Sequence, residues 1–505
     1  MRTKKAFLNM ATSMLYQIVA TICGLITPRL ILSAFGSTYN GVITSVTQFI
    51  GMISILTLGI TGATRLALYK PLADKDTIRI SRIMRATEIY MRKVALGLLI
   101  YVGILCVIYP YISHNDLTPS QCRIIVAIVS IGTFAEYFFG ITNQALLTAD
   151  QSSYVFNLFH VSKTLLNTIL VLVLIRLGAS IFIVKLGSSI VYFIIPIIFN
   201  AYAKKKYGLI KNIEPDNTAL KQRGAIAIHA VANLVHNNTD LTLLTLFADA
   251  KVISVYTIYY LVIGKIKTLM QVITNGMEAA FGNMWVNKEY DKLNVSFSAY
   301  EYMLYAFTAI VFSCVGLLII PFIRIYTILV TDINYVNIPL ALLITVTEAL
   351  YCIRHPYLTL VYATGYYEET KTGAIIEALL NIVISLIFVN VIGLSGVVIG
   401  TLVAHIFRTT QFAIFVSKTV LRRKLLVVVK RLVWTVFSIA VIVAIKVLFV
   451  DKYIIFQVGW KDWFINAFIT AFISTLVTLF SSYLFYPDDL KYLFKSFKRI
   501  FKKRK

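Results

Sequence analysis

Long apolar runs alternate with short polar connectors from the N-terminus to Leu484. Within the runs, the scattered polar residues recur at three- and four-residue spacing, so each run reads as a helix with one polar stripe. A helix needs about 20 residues to cross the hydrocarbon of a bilayer. By that measure the predicted spans are 7–34, 41–68, 94–112, 123–148, 152–178, 180–203, 224–247, 252–281, 298–325, 336–362, 372–391, 395–417, 432–450 and 462–485. The predicted fold class is an all-α polytopic membrane protein with about 14 transmembrane helices.

Composition supports this and narrows it. Of 505 residues, 58% are hydrophobic and 14% charged, whereas a soluble domain is about a quarter charged. The connectors leave no room for a large soluble domain. The opening Met1-Arg-Thr-Lys-Lys5 leads into an apolar run that reaches Ser33. That run exceeds the apolar core of a secretory signal and shows no small-residue cleavage site, so it reads as a retained first span. Four of the five cysteines lie in apolar segments, and no CxxC spacing occurs. They read as packing residues, with neither a disulfide nor a metal site expected.

Charge changes the picture further. The net charge is +25, which in a soluble protein would suggest nucleic acid. Here the basic residues sit in every second connector. One side collects 33 of the 48 Lys and Arg, the other side 6, and 9 fall inside spans. This is the positive-inside pattern, and it places both termini in the cytoplasm. Nucleic acid is therefore not an expected partner. The connector Lys70–Arg92 and the tail from Tyr492 mix apolar and basic residues. Each reads either as lying along anionic inner headgroups or as a solvated topology determinant.

An internal repeat is visible. Leu146-Leu-Thr-Ala-Asp150, Thr164-Leu-Leu-Asn167 and Gly178 resemble Leu360-Val-Tyr-Ala-Thr364, Ala378-Leu-Leu-Asn381 and Gly393. The repeat maps the fifth span onto the eleventh, a shift that preserves orientation, so an axis along the membrane normal is expected. The predicted organisation is an N-lobe (1–223), a C-lobe (224–421), and residues 422–505 holding two further spans and a basic tail.

Ionisable side chains inside spans cost roughly 2.5–3.5 kcal/mol each on insertion scales. This chain places Arg29, Arg65, Glu136, Lys163, Lys185, Asp240, Lys265, Lys267, Glu278, Glu348, Arg354, Glu377 and Arg408 there. Helical spacing groups many of them with neutral polar residues. His229, Asn233, His236 and Asp240 share one face. So do Lys267, Gln271, Asn275 and Glu278; Asn157, His160 and Asn167, beside Lys163; Glu377 and Asn381; and His405 and Arg408. Stripes on both halves suggest a polar cavity between two lobes. The alternative is that these groups only pair within the bundle and hold helices together. Lys185 and Lys446 lie near span ends and are expected to snorkel. Pseudo-equivalent positions also carry opposite charges: Lys163 with Glu377, Arg65 with Glu278, and loosely Arg29 with Asp240. An inner gate at Arg65–Glu278 and an outer gate at Arg29–Asp240 are expected from this.

Three stretches carry a family resemblance. The first runs from Ile26-Thr-Pro-Arg-Leu30 through Phe35-Gly-Ser-Thr-Tyr-Asn-Gly41 to Leu58-Gly-Ile-Thr-Gly62. The second is Asn237-Asn-Thr-Asp240 with Ala250-Lys-Val-Ile-Ser-Val-Tyr256, where Ser254 stands in place of the usual glycine. The third is Ala363-Thr-Gly365 through Asn381 to Gly393-Leu-Ser-Gly396. Together the chain resembles Wzx-type polysaccharide flippases, the O-antigen and capsule exporters of the multidrug/oligosaccharidyl-lipid/polysaccharide superfamily.

The resemblance implies a bacterial cytoplasmic-membrane flippase for polyprenyl-diphosphate-linked oligosaccharide, working by alternating access. It implies no cofactor, coupling to an H+ or Na+ gradient, and polysaccharide polymerase and export machinery as partners. Arginine binds phosphate oxygens in pairs, so Arg29, Arg65, Lys163, Lys267, Arg354 and Arg408 are the expected cationic lumen. Asp240, Glu278, Glu348 and Glu377 are the expected coupling or gating acids. Asn157, His160, Asn167, His229, Asn233, His236, Gln271, Asn275, Asn381 and His405 are the expected polar lining. A multidrug antiporter of the same superfamily is the alternative, although the basic excess within spans favours an anionic cargo. A related peptidoglycan-precursor flippase is a further one. The chain has no Gly-rich phosphate loop, nucleophile elbow or paired-carboxylate loop, so it is not expected to be an enzyme.

Overall fold

The computed structural model describes residues 2–57, 59–210, 212–216, 238–274, 276–454 and 456–502. Among them there is no β-strand, only an isolated bridge between His114 and Asp249. The chain forms two compact units, Met1–Thr257 with Leu329–Ile333, and Ile258–Ile328 with Asn334–Lys505. The first holds α1 (Arg2–Met52), α2 (Ile60–Asp74), α3 (Thr77–Ile112), α4 (Pro119–Ala135), α5 (Ile141–Ala149), α6 (Ser153–Arg176), α7 (Ile181–Tyr207) and α8 (238–247). Helix α9 (Ala250–Thr274) starts there and runs on into the second unit. That unit holds α10 (Met277–Val286), α11 (Tyr290–Tyr326), α12 (Ile338–Thr364), α13 (Tyr367–Ile392), α14 (Leu394–Phe415), α15 (Leu426–Ile445), α16 (Trp460–Phe485) and α17 (Pro487–Lys502).

Among the described residues, 12 helices are long and apolar enough to cross a membrane, by length and composition. The first of these, Phe7–Thr57, contains both the predicted span 7–34 and the start of 41–68. A straight helix of that length would run about 75 Å, more than twice the hydrocarbon thickness. Gly36 interrupts it with φ 81° and ψ 179°, a conformation that needs the missing Cβ. The Asp332 carboxylate seals the break, accepting from the Ser37 amide at 2.7 Å and the Ser37 hydroxyl at 2.6 Å. Most of the predicted span 224–247 lies outside the described residues. The other predicted spans each fall on one of the remaining candidates.

Helices α13 and α16 are polar inside and apolar outside, the reverse of a helix in a water-soluble bundle. On α13, Thr370, Gly373, Glu377, Asn381 and Ser385 are buried, while Ile375, Leu379, Val383 and Ile387 are exposed. On α16, Asn466, Thr470, Ser474 and Thr478 are buried and Phe464, Phe468, Phe472 and Phe480 exposed. Such a surface suits acyl chains, and some of the buried polar groups find partners on neighbouring helices. The Ser474 and Ser313 hydroxyls, for example, meet at 3.0 Å and join α16 to α11.

Helices α13 and α14 pack most intimately because glycines face the contact. A Cβ on Gly396 would lie 2.3 Å from the Phe388 carbonyl, and one on Gly400 would lie 2.7 Å from the Ser385 amide nitrogen. The two form a G-x-x-x-G spacing, which lets helix backbones touch. The sequence repeat is written into the backbone as well. Gln151 (φ 57°) and Gly365 (φ 80°) make left-handed turns before α6 and α13, and Gly178 (φ 74°) and Gly393 (φ 59°) end those helices.

Two charges and one connector segment behave differently from their sequence expectation. Lys446 does not snorkel: it is 2% exposed, paired with Asp451 and set 5.0 Å over the Phe456 ring. Arg431, read as a connector charge, is 2% exposed, between Glu301 at 2.7 Å and Asp489 at 2.8 Å. Residues 77–92 of the basic connector continue α3 directly, and Ile80, Ile83 and Met84 bury against Leu68, Leu146 and Ala149. Burying the apolar side of this segment against α2 and α5 removes it from water while its arginines keep the other sides.

Asp150 ties three elements of the first unit at one end. It accepts from Ser152 (2.7 Å), Tyr207 (2.8 Å) and Lys5 (3.2 Å). Burial alone would raise its pKa, but the hydrogen bonds from Ser152, Tyr207 and Lys5 outweigh it and hold the carboxyl below its ordinary 3.8. A depressed folded-state pKa adds stability that is present above the unfolded value and lost as pH falls through the folded one. Thermal unfolding of detergent-solubilised protein should therefore fall more steeply below about pH 4 for the wild type than for Asp150→Asn. Parallel acid limbs would contradict this.

Candidate functional site: a buried ionic chain in the second unit

Four helices of the second unit bring their polar stripes together. Helix α9 contributes Lys267. Helix α12 contributes Glu348, Tyr351 and Arg354 at three-residue intervals, hence on one face. Helices α13 and α14 contribute Glu377 and Arg408. Lys267 Nζ lies 2.6 Å from Glu348 Oε2 and 4.5 Å over the Tyr351 ring. Arg354 lies 4.9 Å over the same ring and donates from Nη1 to Glu377 Oε1 at 2.5 Å. The other oxygen of Glu377 is 3.4 Å from Arg408 Nε. Arg408 donates to the Thr370 carbonyl at 2.8 Å and to Gln411 Oε1 at 2.5 Å.

The chain thus reads Lys–Glu–(Tyr)–Arg–Glu–Arg, three cations against two carboxylates. Glu348 is 1% exposed, Arg354 6% and Arg408 7%. Moving an unpaired ion out of water costs several kcal/mol even after relaxation, so alternating signs are the condition for burying Glu348, Arg354, Glu377 and Arg408 here, with Lys267 half-buried at the end of the chain. His405 stands beside it, its ring 5.7 Å from Tyr351 and its Nδ1 3.2 Å from the Thr347 carbonyl, which fixes the proton on Nδ1. Asn381 donates to Thr401 at 2.9 Å.

The first unit holds a smaller pair. Lys163 on α6 lies 3.1 Å from Glu136 and 5.2 Å over the Tyr192 ring. Glu136 opens a π-helical turn, Glu136–Gly140, a distortion found often at functional sites. His160 packs edge-on against Tyr16 at 5.5 Å. Asn157 donates to Thr12 at 3.3 Å, and Asn167 is buried. Asp240 accepts from Tyr256 at 2.9 Å.

Of the expected site residues, Lys267, Glu348, Arg354, Glu377, His405 and Arg408 converge. Lys163, His160, Asn157 and Asn167 line the contact of α6 with its neighbours. Arg29 is half-buried on α1. Arg65 is half-buried and donates to the Thr61 carbonyl of its own helix at 3.3 Å. Gln271 and Glu278 are exposed. His229, Asn233, His236 and Asn275 lie outside the described residues. Lys163 and Glu377, opposite charges one repeat apart, are each paired inside their own unit. Sequence reasoning missed Glu136, Tyr351 and Gln411 as site residues. Glu136 stood among the costly charges, but its counter-ion sits on another helix, which periodicity does not reveal.

No family model matches the chain, and no curated protein matches its sequence. Solved structures do match. A lipid II flippase, MurJ, in an inward closed conformation superposes with TM-score 0.69 at 15% identity, covering 95% of this chain and 99% of that one. A multidrug resistance MATE family transporter of the MOP superfamily, inward-facing, gives 0.58 at 15% identity over 82% and 99%. A MOP superfamily transporter from Pyrococcus furiosus, described as having a binding pocket of reversed polarity, gives 0.50 at 15% identity over 83% and 95%. The chain therefore has the MOP-type polytopic fold, and the proteins it is similar to are transporters and flippases rather than enzymes.

Proposed function

We propose that this protein is a flippase that carries a polyprenyl-diphosphate-linked oligosaccharide across the bacterial cytoplasmic membrane for surface polysaccharide synthesis. The observation that carries the proposal is the excess of cation in the buried chain: Lys267, Arg354 and Arg408 against Glu348 and Glu377. A diphosphate carries about two negative charges and takes paired hydrogen bonds from guanidinium groups. Asn381, Thr401 and His405 beside the chain suit sugar hydroxyls. The fold shared with a lipid II flippase supports a lipid-linked cargo.

On this reading the lobes 1–223 and 224–421 alternate access, and residues 422–505 are an accessory. An H+ or Na+ gradient biases the exchange through one of the buried acids, because a ligand shifts a two-state equilibrium only by its differential affinity. The likeness to a MATE transporter and the two carboxylates of the chain, Glu348 and Glu377, favour a second reading, an organic-cation antiporter.

Reconstituted vesicles separate the two. Unaltered protein should move a fluorescent prenyl-diphosphate oligosaccharide and leave an organic cation behind. Arg354→Gln and Arg408→Gln should each slow that movement by about tenfold or more, the loss expected for a charge-assisted hydrogen bond. Movement of the organic cation alone would reject the flippase.

A further inference from the structure

Of the two arginines that grip Glu377, Arg408 has polar anchors of its own. Arg408 is anchored by the Thr370 carbonyl at 2.8 Å, by Gln411 at 2.5 Å and by the Phe412 ring 4.0 Å beneath it. The Gln411 amide can reach there because residue 373 is glycine: a Cβ would fall 1.8 Å from its Oε1. Arg354 is held over Tyr351, which also carries Lys267. A structural salt bridge needs both partners for its geometry. Here Arg408 is scaffolded independently of the carboxylate and Arg354 rests on the Tyr351 ring, so the carboxylate is the replaceable member at Arg408. Its two oxygens each serve a different guanidinium, as two oxygens of a phosphate would.

We infer that Glu377 is an internal stand-in for phosphate, occupying Arg354 and Arg408 in the unloaded protein and yielding them to the diphosphate of the cargo. This rests on the flippase reading and specifies how its site works. The entering group brings about two charges against one, so it wins the arginines. The carboxylate remains tethered on α13 at high effective concentration and reclaims them when the cargo leaves. Competition of this kind keeps an anion from staying in a site of three cations. Glu377 is thus a positioning residue that sets residence time, and Glu348 holds Lys267 in the same way.

Full-length protein in lipid nanodiscs, with a dansyl-labelled geranylgeranyl diphosphate as probe, tests this. Glu377→Gln should bind the probe about tenfold more tightly than the unaltered protein, and Glu377→Asp should fall between. In vesicles, Glu377→Gln should lower KM and kcat together, because release becomes slow. A merely structural Glu377 would make Glu377→Gln bind more weakly, and that result overturns the inference while leaving the flippase intact. Should Glu377→Gln fail to fold, infrared difference spectra of the unaltered protein serve instead. Adding probe should shift a carboxylate stretch, and an unshifted band overturns the inference. If the unaltered protein and Arg408→Gln are equally blind to the probe and the protein takes an organic cation, the flippase reading fails and this inference with it.

Discussion

Arg431→Ala should destabilise the protein by about 3–5 kcal/mol, the cost of leaving a buried charge without its partner. Arg431 is among the largest fully buried side chains, and Glu301 beneath it has no exposure. Its guanidinium joins three parts of the second unit. It donates to Glu301 Oε2 (2.7 Å) and to the Ser298 carbonyl (2.7 Å) on α11, and to Asp489 (2.8 Å) at the start of α17. Arg423 completes the cluster, 2.5 Å from the other oxygen of Glu301. Alanine would leave Glu301 with one cation and Asp489 with the Ser298 hydroxyl at 3.0 Å in place of a charged partner. Chemical or thermal unfolding in detergent should show the loss, and expression in membranes should fall with it. The double variant Arg431→Met with Glu301→Gln should recover much of the stability, because the uncompensated carboxylate is gone. If the double variant is as unstable as the two single losses combined, burial of unpaired charge is not the cause.

The second large effect is at the α13–α14 contact. Leucine at Gly396 or Gly400 has no room: the first new carbon already lies within 2.3 Å of the Phe388 carbonyl or 2.7 Å of the Ser385 amide nitrogen. Overpacking commonly costs about 1–3 kcal/mol, and contact with backbone, which cannot rotate aside, belongs at the upper end. The functional consequence is larger than the stability loss. These glycines set the spacing of the two helices, and that spacing sets the 3.4 Å approach of Arg408 to Glu377. Both variants should therefore lose cargo movement even where folded protein is recovered. Gly276→Ala, where an added carbon meets nothing within 4 Å, is the matched control. Equal transport in Gly400→Leu and Gly276→Ala would show that the helix spacing does not matter to the site.

The sequence alone determined the all-α polytopic class. Apolar run length, the sided distribution of Lys and Arg and the single polar stripe per run each follow from the physics of a bilayer acting on one helix at a time. Periodicity also chose a face correctly: Glu377 and Asn381 share a buried face of α13. Gly178 and Gly393, matched in the sequence repeat, both take positive φ just past the end of a helix.

Only tertiary structure decided which charge meets which. Spacing along a helix gives direction but not distance to the next helix, so nothing in the pattern paired Glu136 with Lys163 or shared Glu377 between two arginines. The same blindness made Arg431 look like a connector charge, since its partners Glu301 and Asp489 lie 130 and 58 residues away along the chain. Distance between helices depends on what fills the gap, and here it is small because Gly396 and Gly400 fill almost none.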